Sequence, residues 1–333
     1  MKILDGGVTS PKGFLAAGLR AGIKPGKTNK DMAMILSEEP AAVAGTFTRN
    51  VVKAAPVLWG QKLVKDQETV RAVVINTGIA NACTGEKGYD NTVRTAEMAA
   101  SELGVLKEEV LVSSTGVIGQ QLPMEAIEKT LLLELQRELI EDTFNMISVD
   151  GDTSTNDTVF VLANGMAGNT RITEKNEDYE TFKKALLYVN RELAKKIAGD
   201  GEGCTKLFEV QVHHAPDKAC AKTLSKAVVT SSLTKAAIYG KDANWGRILC
   251  AMGYSGAAFD PLKVDISFES KKGSLAIVKD GVATDYSEDA ATEILSEDAV
   301  TAVIDIRSGE EAATAWGCDL THEYVSINAD YRS

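Results

Sequence analysis

The sequence predicts an α+β protein in which helices pack on layered sheets. Short apolar, strand-like runs recur along all 333 residues, and segments with apolar side chains at helical spacing stand between some of them. The two kinds of segment do not alternate regularly, as they would in a parallel sheet built from βαβ units. Composition agrees with a globular chain, because 44% of the residues are apolar and 25% are charged.

The first part of the chain predicts four strands and one helix. The helix covers Asn91–Leu103, since its apolar side chains fall along one side. The last predicted strand breaks at the polar residues 114–116. The four strands are Met32–Leu36, Ala41–Phe47, Ala72–Ile75 and Glu109–Ser113.

The rest of the chain predicts further helices and short strands. A helix from Met124 to Asp142 begins after a proline, a residue favoured at helix starts. A helix over Tyr179–Ala198 has its apolar positions at helical spacing and ends at the glycine-rich residues 199–203. The remaining segments are a strand Thr205–Val212, a helix Lys218–Ser225, a turn-rich stretch Gly240–Arg247, and strands Val264–Phe268, Leu275–Val278 and Val300–Ile306.

Charge and hydropathy exclude several classes of protein. The net charge of −11 argues against a nucleic acid or an anionic membrane as the main partner. No apolar run reaches the length of a membrane-spanning helix, and the N-terminus lacks the apolar core of a signal peptide. We therefore expect a cytoplasmic protein.

Cysteine and histidine usage argues against a metal site. The five cysteines are scattered and never form a Cys-x-x-Cys pair, so neither a disulfide framework nor a zinc knuckle is expected. Three histidines are too few for a histidine-rich metal site. A Ser-His-Asp triad would need a nucleophile elbow, and no clear one is present.

The densest polar segment is Val149–Thr158, which lies between two apolar runs. Its short side chains are suited to bonding nearby backbone and holding a turn in one shape. Two interpretations stay open, a structural turn and a polar shelf beside an active site. A calcium loop is excluded, because Thr155 stands where the turn glycine belongs and Val161 where the bidentate glutamate belongs.

A second candidate site is the strand end at Thr115 and Gly116. Such a strand end can aim a backbone N–H and a hydroxyl at one point, the geometry that stabilises the oxyanion of acyl transfer. The segment Asn76–Gly85 is similarly small and polar, and close backbone packing is its alternative explanation. Cys83 in that segment is a candidate nucleophile without an evident histidine partner.

The turn Gly199–Gly203 is a third candidate. It can present the carboxylate of Glu202 to a cationic group. A plain glycine turn between helix and strand is the alternative.

Taken together, eight segments resemble the ornithine acetyltransferase family, the glutamate N-acetyltransferases of arginine biosynthesis. The likeness covers nearly the whole chain, and its many matches in the same order make it highly specific. The segments are residues 7–14, 45–50, 76–85, 114–119, 143–157, 199–206, 244–248 and 328–333.

The resemblance implies a fold and a domain division. The fold is a layered α/β sandwich of the N-terminal-nucleophile-like type with a smaller C-terminal α/β lobe. Residues 1–206 would form the N-terminal and central region, and residues 207–333 the lobe. The family precursor cleaves itself, here between about residues 128 and 131, and two cleaved pairs form a heterotetramer.

The resemblance also implies a reaction. An acetyl group passes from N2-acetyl-L-ornithine to a threonine freed by the cleavage, and then to L-glutamate, with no metal or organic cofactor. Bifunctional members also take the acetyl group from acetyl-CoA. The partners would be these small molecules, with no nucleic acid and no membrane.

The same resemblance assigns five site residues. Thr115 and Gly116 would form the oxyanion hole, and Glu202, Asn328 and Ser333 would bind the substrate. The Glu202 carboxylate can pair with an amino group, while the other two residues offer neutral donors to a carboxylate.

The chain departs from the family's pattern between Met124 and Thr143. There the family carries several tens of additional residues, including a glycine-rich lysine segment, the Ala-Thr-Met-Leu cleavage site and the nucleophile. In this sequence Lys129 runs directly into Thr130, which we interpret as a solvent-facing helix residue and not as the nucleophile.

Three explanations of that departure stay open. The sequence joins parts of two subunits and omits the segment between them. Alternatively, the chain is a shortened, inactive relative that binds small molecules or acts as a scaffold. In the third explanation a substitute nucleophile, such as Cys83, carries the chemistry.

Overall fold

The structure is a computed structural model that describes residues 6–19, 23, 29–118, 139–163, 172 and 175–329. It groups them into two compact units. Unit 1 takes the described residues before residue 139 and those from 153 to 185. Unit 2 takes residues 139–152 and those from 186 to 329. The boundary predicted between residues 206 and 207 stays a prediction.

Mixed strands and helices make up both units, which confirms the predicted α+β fold. The described strands are β1 Phe14–Leu19, β2 Met32–Phe47, β3 Val70–Ile79, β4 Val110–Val117, β5 Ile147–Ser148, β6 Thr158–Ala163, β7 Leu207–Ala215, β8 Asp265–Ser270, β9 Gly273–Lys279, β10 Val282–Ala283, β11 Ala299–Asp305 and β12 Glu311–Cys318. The described α-helices are α1 Ala55–Asp66, α2 Gly85–Leu103, α3 Glu177–Ala198, α4 Lys218–Thr230, α5 Ser232–Tyr239, α6 Trp245–Gly253, α7 Glu288–Leu295 and α8 His322–Ala329.

Unit 1 is built on a five-stranded sheet in the order β1-β2-β3-β4, with β6 paired to the second half of β2. β3 and β4 run parallel, and the other pairs are antiparallel. β2 is one strand where the sequence predicted two. Its pairing with β3 shifts between Leu36 and Ala41, so the polar residues between the two apolar runs are accommodated as an irregularity.

Helices α1 and α2 pack on this sheet and on each other. Trp59 and Leu63 of α1 are buried with strand residues that include Val43 and Leu111. The Trp59 ring meets Tyr89 of α2 edge to face, with centroids 5.6 Å apart. Neither α1 nor the first turns of α2 were predicted from the sequence.

Unit 2 is built on a seven-stranded sheet in the order β10-β9-β8-β11-β7-β12-β5. Side chains alternate along the central strand β7, as a pleated strand requires. Phe208, Val210 and Val212 are fully buried, and the residues between them are half-buried. α4 packs on β7 and β12 and contributes Leu224 and Val228 to the same core.

The predicted elements of unit 2 are largely found, with two differences. The helix predicted from Lys218 to Ser225 continues to Thr230. The stretch predicted as turn-rich, Gly240–Arg247, becomes helical at Trp245, because the Asn244 side chain accepts the Arg247 N–H and caps α6.

Parts of the other predictions lie outside the described residues. Most of the helix predicted from Met124 to Asp142, with Thr130 inside it, falls there. Over the ranges that the structure does describe, no helix combines the length and apolar character needed to cross a lipid bilayer.

The short strand β5 is held by Lys226 of α4. Its Nζ donates to the carbonyl oxygen of Asn145 at 3.1 Å and to that of Ile147. Burial lowers the pKa of Lys226 to about 8. A lysine therefore satisfies two backbone acceptors just before the polar segment begins.

We predict that truncating one large core side chain of unit 2 strongly destabilises the protein. Phe208 is fully buried, and Phe208→Ala should destabilise the protein by roughly 3–5 kcal/mol through lost burial and a residual cavity. Tyr254→Ala, at a side chain that is 64% exposed, is the control and should cost under about 1 kcal/mol. Urea unfolding measures both, and equal losses would contradict the packing described.

We also predict a pH dependence from Lys226. Between pH 8 and its ordinary value of 10.5, the folded chain has released the Lys226 proton and the unfolded chain still holds it. Stability from this group therefore rises with pH across that window. Lys226→Met should lose that rise in urea midpoints measured from pH 7 to 10.5. Lys241→Met, at an exposed lysine of the same unit, should follow the native profile.

Candidate active site

In unit 1 the candidate site lies where two parallel strands end together. β3 and β4 pair in a register that sets Thr77 beside Thr115 and Gly78 beside Gly116. Gly116 has φ 127°, and a Cβ on it would lie 2.3 Å from the carbonyl carbon of Gly78. Only glycine allows this approach, so the residue type fixes how closely the two strand ends meet.

The pairing with β3 determines which way each backbone N–H and C=O group at the end of β4 points. The Ala80 N–H donates to the Val117 oxygen at 2.9 Å, so odd-numbered residues at the end of β4 turn their backbone groups toward β3. Because backbone groups alternate along a strand, Ser114 C=O and Gly116 N–H point away from β3. The Gly116 N–H is therefore not used by the β3–β4 ladder, and the Thr115 side chain beside it is exposed.

Two buried polar side chains support this strand end. The Ser114 hydroxyl donates to Asn76 Oδ1 at 2.6 Å, and Asn76 Nδ2 donates to the Ile79 oxygen at 2.9 Å. Asn76 is 5% exposed and Ser114 3% exposed. The bonds satisfy both side chains, which is what buried polar groups require. From the sequence, Asn76 was named only as the start of the polar segment Asn76–Gly85, and Ser114 only within the polar residues 114–116.

The part of the polar segment that belongs to unit 1 is a hydrogen-bonded turn, as one of the two interpretations predicted. Thr48 Oγ1 donates to the Ser154 oxygen at 2.8 Å, and the Ser154 hydroxyl donates to Asn156 Oδ1 at 2.7 Å. These bonds hold the turn. Asn156 Nδ2 also donates to the Ser114 oxygen, so the turn contacts the strand end at Thr115.

In unit 2 the turn that carries Glu202 is tightly held. Gly203 has φ 66°, and a Cβ on it would lie 2.7 Å from Glu323 Cβ at the start of α8. The Thr321 hydroxyl donates to the Gly203 oxygen at 2.7 Å. Glu202 itself is exposed, so a fixed backbone presents a solvent-accessible carboxylate.

Tyr324 of α8 interacts with both Glu202, through its charge, and Asn328, through a hydrogen bond. Burial, a 3.0 Å hydrogen bond from the Tyr324 hydroxyl to Asp150, and the negative charges of Asp150, Glu202 and Asp152 raise the pKa of Tyr324 to about 12. Asn328 lies one turn further along α8, exposed, with Nδ2 donating to the Tyr324 oxygen at 3.0 Å. The structure thus places Glu202 and Asn328 in one negatively charged region of unit 2.

The other predicted residues have separate outcomes. Thr115 and Gly116 lie in unit 1, and Ser333 lies outside the described residues. Cys83 is exposed, with φ 55°, in the loop between β3 and α2. Within the described ranges, no three His, Cys, Asp or Glu side chains are grouped so that they could hold a metal ion.

An exposed threonine beside a backbone N–H that the strand ladder leaves unused is an arrangement suited to acyl transfer. The ArgJ family model matches residues 15–133 and 126–333. The chain therefore belongs to the ArgJ family.

Three relatives illustrate the match. The arginine biosynthesis bifunctional protein ArgJ of Thermotoga neapolitana is 41% identical over 97% of this chain and 99% of its own length. ArgJ 1 of Clostridium acetobutylicum is also 41% identical, over 100% of this chain and 99% of its own. The crystal structure of ArgJ from Bacillus halodurans, 45% identical, covers 60% of this chain and 92% of the solved chain with a TM-score of 0.57.

The comparisons also locate a missing segment. The family model matches in two pieces that meet at residues 126–133, inside the predicted departure between Met124 and Thr143. The alignment with the C. acetobutylicum protein spans 407 positions but contains only the 333 residues of this chain. At least 74 positions therefore stand opposite a gap, and these relatives carry residues that this chain lacks.

We predict that Gly116 tolerates no side chain. Gly116→Ala adds a Cβ that meets the Gly78 backbone in addition to an unfavourable positive φ, so it should cost more than the roughly 1–2 kcal/mol of the φ effect alone. Gly104→Ala is the matched control, with φ 66° and open space around the added Cβ. Equal losses of stability on urea unfolding would show that the strand ends do not approach as described.

Proposed function

We propose that this chain acts in the acetyl transfer of arginine biosynthesis, with N2-acetyl-L-ornithine as donor and L-glutamate as acceptor. The observation that carries the proposal is the ArgJ family match in both halves of the chain, at 41% identity over almost its full length. The geometry of the strand end in unit 1 and the charge of the α8 region in unit 2 support it.

Thr115 and Gly116 would stabilise the acyl oxygen. The Gly116 N–H points away from the ladder and the Thr115 side chain is exposed, so both groups are available to a ligand. When a nucleophile attacks the acetyl carbonyl, negative charge develops on its oxygen, and fixed donors stabilise that charge more than they stabilise the neutral carbonyl.

Glu202, Asn328 and Ser333 would hold the amino acid. The carboxylates of Glu202, Asp150 and Asp152 all contribute to raising the pKa of Tyr324. Such a region favours the side-chain ammonium of N-acetylornithine. The neutral amide of Asn328 and hydroxyl of Ser333 would donate to the ligand's carboxylate.

The transfer would proceed through an acyl-threonine. A threonine hydroxyl attacks the acetyl carbonyl, its proton passes to the leaving amine, and ornithine departs. The glutamate amine then attacks the ester carbonyl and releases the threonine. Use of acetyl-CoA, self-cleavage, a heterotetramer of two cleaved pairs and a cytoplasmic location belong to the same proposal.

A second candidate function is binding of these amino acids without transfer. It is favoured by the break of the family model at residues 126–133, where the family resemblance places the nucleophile, and by the at least 74 aligned positions at which this chain has no residue. Intact mass and a denaturing gel, together with an assay for acetyl transfer to glutamate, distinguish the two candidates. Transfer by the purified chain supports the first. A single uncut chain that binds N-acetylornithine but transfers nothing supports the second.

We predict that Glu202 carries selectivity for the ammonium group. Glu202→Gln should weaken N-acetylornithine binding roughly 10- to 100-fold, as expected for loss of one charged hydrogen bond. Calorimetry measures this, with Glu310→Gln, at another exposed glutamate of unit 2, as control. N-acetylglutamate lacks the ammonium, so its affinity should not fall in the variant. Unchanged N-acetylornithine affinity would remove Glu202 from the site.

A further inference from the structure

Asn156 contacts the open side of the candidate oxyanion strand. Its Nδ2 donates to the carbonyl oxygen of Ser114, and this carbonyl lies on the same side of β4 as the Gly116 N–H. Backbone groups two residues apart on one side of a strand are near neighbours. Asn156 therefore holds the backbone immediately beside the proposed acyl-oxygen donor.

The orientation of the Asn156 amide is fixed by its partners. Oδ1 accepts the Ser154 hydroxyl at 2.7 Å, while Nδ2 faces a carbonyl oxygen. A flipped amide would place two acceptors against each other, so only one orientation satisfies both contacts. Thr158 Oγ1 donates to the Asn156 oxygen at 3.2 Å and fixes the backbone as well.

The position matters because β4 ends the path β1-β2-β3-β4 of the described sheet. On the side facing β3, the ladder and the contact between Gly116 and Gly78 hold the strand end. On the other side, Asn156 supplies a contact where the described sheet has no further strand. A donor in an oxyanion hole must be aimed within a few tenths of an ångström, which requires support from both sides.

The contact also has an electrostatic consequence. The Ser114 oxygen carries partial negative charge on the side where an acyl oxygen would bind to the Gly116 N–H. The Asn156 amide donates a hydrogen bond to that oxygen and offsets its partial charge. A charged acceptor at the same place would instead repel both the carbonyl and a developing oxyanion.

We infer that Asn156 is a positioning residue that aims the Gly116 N–H at the acyl oxygen of an N-acetylated amino acid. The inference rests on the proposed function of the Thr115–Gly116 strand end. It assigns to the polar segment a specific role in recognising the acetyl group, separate from recognition of the amino acid.

The test uses two ligands, N-acetylornithine labelled with ¹³C at the acetyl carbonyl and unacetylated ornithine. Infrared spectroscopy follows the labelled carbonyl, and affinity is measured for both ligands. The bound carbonyl band should shift to lower frequency in the native chain, because a donor polarises it. In Asn156→Asp that shift should largely disappear and N-acetylornithine affinity should fall at least tenfold. Ornithine affinity should change less than twofold, since that ligand has no acyl oxygen. Asn156→Ala, which adds no charge, is measured alongside, with circular dichroism to verify folding.

Asn50→Asp is the matched control. Asn50 Nδ2 donates to the Thr153 oxygen at 3.1 Å, the same chemistry in the same unit but on a different carbonyl. The Asn50→Asp variant should keep the infrared shift of the bound carbonyl. A folded Asn156→Asp protein that keeps the native shift overturns the inference and leaves the proposed function standing. Equal losses for both ligands also overturn it, because they indicate a general structural effect. A native chain that binds no N-acetylornithine overturns the proposed function itself.

Discussion

The parallel pairing of β3 with β4 is the constraint on which the unit 1 site depends. Its register sets Gly78 against Gly116, and the approach leaves no room for a Cβ. The same register decides which backbone groups are used in the ladder and which face outward. The chemistry proposed for Thr115 and Gly116 thus depends on strand pairing, and the buried Asn76–Ser114 hydrogen bond stabilises that pairing from within.

Sequence periodicity predicted the long elements and missed several short ones for a physical reason. α3 was predicted within two residues of its observed start, because a 22-residue helix repeats its apolar pattern many times. α1 was missed. It contains a central glycine, Gly60, where an added Cβ would lie 2.9 Å from Phe47, so tertiary packing and not helix propensity accounts for that residue. α8 was also missed, since none of its residues is buried and it has no apolar face to detect.

The candidate site could be selected from the sequence where its signal is local. Thr115 and Gly116 follow the apolar run Val110–Val112 after two serines, so a Thr-Gly strand end can be recognised from the sequence alone. Asn156 was visible only as one member of a polar segment, because its contact with Ser114 joins residues 42 positions apart. Tyr324 was not selected from the sequence. Its hydrogen bond to Asp150 and the effect of the Glu202 charge on it join residues that are far apart in the sequence.

Ligand binding and turnover, which an acyltransferase normally combines, depend on different parts of the chain. The groups proposed to bind the acyl oxygen and the amino acid lie in stretches that this chain retains, at residues 76–79, 114–117, 150–157, 202 and 324–328. The family model breaks at residues 126–133, where the family resemblance places the nucleophile. Donors aimed at an acyl oxygen still bind the neutral carbonyl, although they stabilise it less than the oxyanion. On the proposed assignment of these groups, ligand affinity therefore does not depend on the nucleophile, whereas turnover does.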